Sequence, residues 1–155
     1  MTNNYILRRL RFIFDYGDDQ MIELFAMAGC TTDRAEVSNW LKKDEDPDFV
    51  PLKDQKLAYF LNGLIIKHRG TQNGRIPEAE QHLDNNDILR KLKIALSLRD
   101  DDMLKIFSLA GMEVSKHEVS AFFRKPTQRQ YRECLDQFLR NFLHGLQVKH
   151  QGKTK

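Results

Sequence analysis

Asn3-Asn4-Tyr5-Ile6-Leu7-Arg8-Arg9-Leu10 is written a second time, at an offset of 82, as Asn85-Asn86-Asp87-Ile88-Leu89-Arg90-Lys91-Leu92. The same offset carries Phe60-Leu61-Asn62-Gly63-Leu64 onto Phe142-Leu143-His144-Gly145-Leu146, and Lys67-His68 onto Lys149-His150. Residues 3–70 align with 85–152 without a gap, and 26 of the 68 pairs are identical. Such self-similarity is the mark of a tandem duplication. It also gives each residue an internal control, its counterpart in the other copy.

Each copy reads as helices alone. Ile6, Leu7, Leu10, Ile13 and Phe14 recur at helical spacing, with Asn4, Arg8, Arg11 and Asp15 on the other face. Asn3 or Asn4 is placed to cap this helix, and Gly17-Asp18 to end it and begin the next. A second helix over 18–28 presents Met21, Leu24 and Phe25 and stops at Gly29. The third opens with Asp33-x-x-Glu36, or Ser115-x-x-Glu118, in capping-box form. A polar loop leads to a long fourth helix near 53–68, carrying Leu57, Phe60, Leu61 and Leu64 and ended by Gly70. No stretch alternates as a strand does. The expected architecture is all-α: two tandem four-helix repeats, 1–70 and 85–155, about eight helices related by a pseudo-two-fold axis. A polar linker, 71–84, joins them, and two units this small are expected to pack together as one globular body. Gly63 and Gly145 interrupt the fourth helices at a cost of about 1 kcal/mol relative to alanine. A close approach of another helix backbone, or the floor of a pocket, would account for both.

Composition narrows the functional classes. Hydrophobic content of 41% with 30% charged residues describes a soluble globular chain. The opening Met-Thr-Asn-Asn lacks the features of a secretion signal, no apolar run is long enough to span a bilayer, and two cysteines form no disulfide framework. A cytoplasmic protein with no membrane contact is expected. The formal charge of +3 conceals an asymmetry, because residues 1–80 carry 11 cations and 13 anions, whereas 81–155 carry 14 and 9.

The duplication tests each reactive residue. Cys30 faces Met112 and Cys134 faces Leu52, the pattern of buried structural cysteines. His117 and His144 are unmatched, while His68 and His150 fall in a last helical turn, where a cation favours the dipole. Asp18-Asp19 and Asp100-Asp101-Asp102 sit at helix starts, where carboxylates cap. Neither zinc-ligand spacing, a phosphate loop nor a nucleophile elbow occurs, so no metal or cofactor is implied and no catalytic residue is assigned. The expectation is a protein that is not an enzyme.

Two surfaces stand out instead. The helix pair ending in Glu36-Val37-Ser38-Asn39-Trp40-Leu41-Lys42 resembles the helix-turn-helix of phage-repressor-like DNA readers, with a longer turn and Phe25 where a small residue is usual. Outward positions would be Arg34, Asn39 and Lys42, or Lys116, Ala121 and Arg124. The following loop is acidic in copy one, Asp44-Glu45-Asp46 with Asp48. In copy two it is basic, Arg124-Lys125 with Arg129 and Arg132. Two equivalent duplex readers would not diverge in this way, since both would need cations for phosphate. The charge difference is either drift on a solvated surface or the mark of a protein partner or a homo-oligomer, engaged in copy two by Lys116, Arg124, Lys125, Arg129 and Arg132. Nucleic acid bound by the third helix of copy two is the alternative. Finally, Arg8 and Arg90 recur with Asp54 and Asp136. Ion pairs Arg8–Asp54 and Arg90–Asp136 are expected, with a shared anion site on Arg8 and Arg90 as the functional option.

The repeated Asn-Asn-x-Ile-Leu-Arg opening, Leu-Ala-Gly, Glu-Val-Ser-x-Phe/Trp and Phe-Leu-x-Gly-Leu together resemble the YehS-like family of small bacterial proteins. The resemblance covers both repeats and the linker. It implies a cytoplasmic bacterial protein made of two copies of one helical domain of unknown function, and it supplies no catalytic or binding residue.

Overall fold

The first helix of each copy starts on a side-chain cap, one residue earlier than the asparagines. The Thr2 hydroxyl accepts a hydrogen bond from the Tyr5 N–H at 3.1 Å, and the Asp84 carboxylate accepts one from Asp87 N–H at 2.8 Å. The computed structural model describes residues 1–151, so positions 152–155 of the second repeat lie outside the described residues. Among the described residues there are eight helices and no strand, only one isolated bridge between Gln72 and Arg75. Unit one, Met1–Leu83, holds α1 (Asn3–Phe14), α2 (Asp18–Met27), α3 (Arg34–Leu41) and α4 (Asp54–Arg69). The second unit, from Asp84 onward, holds α5 (Asn85–Ala95), α6 (Asp100–Leu109), α7 (Lys116–Phe122) and α8 (Asp136–Gln151).

Gly17, whose φ is −84°, begins α2, its N–H donating to Gln20 Oε1 at 2.8 Å, but it does not end α1. Asp15 takes the left-handed conformation instead, φ 56°, and Tyr16 N–H returns to the Arg11 carbonyl at 3.0 Å. In unit two Ser97 does the same at φ 53°. A short polar side chain tolerates this conformation better than a bulky one, so no glycine is needed. Gly29 and Gly111, at φ 92° and 80°, close α2 and α6 as expected. At α7 the capping box is complete, Ser115 and Glu118 each accepting the other's N–H at 3.0 Å. At α3 the Asp33 carboxylate accepts the Glu36 N–H at 2.8 Å.

Within each unit the last helix packs along the second, α4 on α2 and α8 on α6. Gly63 and Gly145 explain how closely. A Cβ built on Gly63 would lie 1.9 Å from the Leu24 carbonyl oxygen, and one on Gly145 would lie 1.9 Å from that of Ile106. Both glycines therefore mark a backbone contact within the unit. The cores are aromatic. Phe25 meets Trp40 and Phe60 at ring distances of 5.3 and 5.4 Å, and Phe107 meets Phe142 at 5.6 Å. Where Trp40 is replaced by the smaller Phe122, the position of Lys56 is taken by Phe138, whose ring sits 5.2 Å from Phe122. One ring's lost volume is made up by another, as close packing demands.

Candidate interaction surface

The segment between the third and fourth helices of each unit is held from beneath by one buried asparagine. Asn4 Nδ2 donates to the carbonyls of Trp40 and Val50, both at 2.9 Å, and its Oδ1 accepts from Leu52 N–H at 2.9 Å. Asn86 repeats the clamp on Phe122, Arg132 and Cys134, at 3.0, 2.9 and 2.8 Å. Each amide thus spends three of its four hydrogen-bonding capacities on loop backbone. This is why Asn4 is buried rather than on the polar face where its periodicity placed it. The repeated Asn-Asn was the available signal, but a cap explained it locally, and nothing local reveals partners some forty residues away.

The neighbouring asparagine also corrects the expected ion pairs. Asn3 Nδ2 donates to Asp54 Oδ1 at 2.7 Å and to the Leu52 carbonyl at 3.1 Å. Asn85 does the same to Asp136 and Cys134 at 2.8 and 2.9 Å. The Asn85 amide holds the Asp136 carboxyl below the usual carboxylate range. Asp54 Oδ2 accepts Leu83 N–H at 2.9 Å, tying the linker's end to unit one. Arg8 and Arg90 do not take these carboxylates. They stand five residues beyond the asparagines, a rise of about 7.5 Å along the helix. Arg8 donates instead to the Lys42 carbonyl at 2.8 Å, with Asp44 at 3.9 Å, and Arg90 lies 3.3 Å from Asp87. Arg8 lines an open groove of ≈ 670 Å³ with Tyr5, Arg9, Lys43, Asp44 and Glu45, where both signs of charge alternate.

The five basic residues expected to form the surface of unit two do not act alike. Arg132 is engaged, 2.8 Å from Glu118 and with its guanidinium 5.1 Å from the Phe138 ring centre. The Ser115 N–H, and then Arg132, keep the Glu118 carboxyl below its ordinary range. Lys116 stands 3.9 Å from Asp101. Arg124 is half-buried just past α7, and Ala121, expected to face outward, is buried. Lys125 and Arg129 are exposed, and among the described residues their cations meet no carboxylate. In the equivalent loop of unit one, Glu45 and Asp48 are likewise exposed and meet no cation, while Asp46 accepts Asp48 N–H at 2.8 Å.

The reactive residues lie away from these loops' exposed faces. Burial pushes the Cys134 thiol up to about 12, the reverse of what a nucleophile needs. Burial, and then Lys67, push His68 down, so the helix end it occupies carries a neutral imidazole at pH 7. Among the described residues no helix is long and apolar enough to cross a membrane.

Two clamped loops on a duplicated four-helix frame define a class of all-helical tandem-repeat proteins. The chain belongs to the family described as protein of unknown function (DUF1456), whose pattern matches twice, over residues 3–70 and 85–152. It is similar to the uncharacterized protein YehS of Escherichia coli (strain K12), 36% identical over 154 residues that cover 99% of both chains. No solved structure matches it.

Proposed function

We propose that this protein is a non-enzymatic interaction module of the cytoplasm, which engages a protein partner, or a copy of itself, through its charged loops. One observation carries the reading. The same asparagine clamp fixes both loops and each exposes a lysine, Lys43 or Lys125, yet unit one adds Glu45 and Asp48 there while unit two adds Arg129 and no carboxylate. The frame is kept and the electrostatic face is reversed, which suits recognition of different surfaces. The engagement of Arg132 by Glu118 and the short α7 weigh against the third helix of unit two as a reader of nucleic acid.

Light scattering after size exclusion, at about 50 and 500 mM salt, together with capture from bacterial lysate, tests the proposal. Association that is salt-sensitive and weakened in Lys125→Glu with Arg129→Glu is expected. A strict monomer that captures nothing in a loop-dependent way would overturn it. Duplex DNA titrated under the same conditions is the control. Binding that Lys116→Glu with Arg124→Glu weakens would move the reading to nucleic acid.

A further inference from the structure

The two loops differ in one more respect than charge. Val50, in the acidic loop, is 42% exposed, and Leu135, three residues beyond Arg132, is 54% exposed. Neither is matched in the other copy, where Arg132 and Lys53 occupy the equivalent positions. Each segment between the third and fourth helices therefore carries exposed charges and an exposed aliphatic residue, and the net charges of the two segments are of opposite sign. An apolar centre within a polar rim is the usual anatomy of a protein–protein contact.

Resting on the interaction-module reading, we infer that the segment 124–135 docks the 44–50 loop of a second copy of this chain. Glu45 and Asp48 of one copy meet Lys125 and Arg129 of the other, with Val50 against Leu135. The charges concerned form no ion pair within the molecule among the described residues, so pairing them breaks no existing bridge, although Glu45 shares a groove with Arg8, Arg9 and Lys43. Arg132 stays with Glu118 and supplies no part of the contact. Every chain carries both halves of the contact. A two-fold pair makes it twice and closes, whereas head-to-tail addition makes it once per step and remains open.

A charge-swap cycle on the full chain tests this. One variant, Glu45→Lys with Asp48→Lys, makes both patches basic. The other, Lys125→Glu with Arg129→Glu, makes both acidic. Light scattering should show the unaltered chain associated at about 50 mM salt and dissociated at about 500 mM, a readout that needs no variant. Each variant alone should associate ~10-fold more weakly, and an equimolar mixture of the two should recover association. Self-docking is overturned by an unaltered chain that is monomeric at about 50 mM salt, by variants that self-associate as well as the parent, or by a mixture that does not recover. If the parent is monomeric but loop reversal abolishes capture of another protein, self-docking fails and the interaction-module reading stands. If reversal affects neither, both fall.

Discussion

The loop over 42–50 in unit one and the loop over 124–132 in unit two hang from the same asparagine, by the same three hydrogen bonds to equivalent backbone atoms. Four carboxylates accompany two lysines in the first, whereas four cations and no carboxylate occupy the second. Beneath the loops, little of the chemistry has moved: Gly63 and Gly145 meet the same carbonyl, and Asn3 and Asn85 hold the same aspartate. The clamping asparagines and the close-packed glycines persist against backbone atoms, which substitution cannot change. The acidic and basic residues that differ most between the loops, Glu45 and Asp48 against Arg129, are exposed side chains.

The largest effect should come from the glycines. In Gly63→Ala or Gly145→Ala a methyl group would have to share space with a carbonyl oxygen that is fixed in its helix. Overpacking against rigid backbone costs about 3 kcal/mol or more, well beyond alanine's gain in helix propensity. Denaturant melts of the full chain should show comparable losses for both variants. If one unit tolerates the alanine, the helix packing is not equivalent in the two copies.

Next come the clamps. Asn4→Ala or Asn86→Ala leaves two carbonyls and one N–H without their partner, a loss of about 2–3 kcal/mol if the loop stays in place. Local hydrogen exchange at Leu52 N–H and Cys134 N–H distinguishes loop release from global unfolding, and release is expected in both units. An Asn4→Ala variant with unaltered protection of Leu52 would show that the clamp does not hold the loop.

The fold was largely legible in the sequence because helices announce themselves locally, through periodic Leu, Ile and Phe and through caps such as Ser115 with Glu118. Gly63 and Gly145 could be recognised as meaningful, since a duplicated breaker within a helix requires a cause. Asn4 is neither the cap nor the polar-face residue that its neighbours suggest. An asparagine before an apolar run is usually a cap, and only tertiary structure brings Trp40, Val50 and Leu52 to its amide. The ion pairs failed similarly, since recurrence shows that Arg8 and Asp54 matter without showing that they meet. Lys125 and Arg129 lay within the basic cluster from the start. What separates them from Arg132 is Glu118, an accident of side-chain geometry that spacing does not encode.

A smaller effect separates the two copies at alkaline pH. Cys134 occupies the position of Leu52, and burial raises its thiol from 9.0 to about 12. A group whose folded pKa is raised contributes fully below its unfolded value and loses that contribution as pH climbs toward the folded one. Stability should therefore decline between pH 9 and 12, by about 1.5 kcal/mol at pH 10. Cys134→Leu, the residue copy one already carries, should flatten that decline in melts at pH 8, 9 and 10. An equally steep decline in the variant would assign it to other groups.

The smallest effect is expected where the copies differ most visibly. Arg132→Val installs the residue of unit one and removes both the contact with Glu118 and the guanidinium from the Phe138 ring. Arg132 and Glu118 are substantially solvated, so the stability change should stay within about 0.5 kcal/mol. The Glu118 carboxyl should rise toward its ordinary range only in part, because the Ser115 N–H remains the stronger influence on it. Titration by carboxyl-carbon NMR reads that shift directly. A full return to the ordinary value would make Arg132, and not the cap, the main anchor of Glu118. The basic loop would then owe its position to a side-chain pair as well as to the asparagine, and the two loops would no longer be held alike.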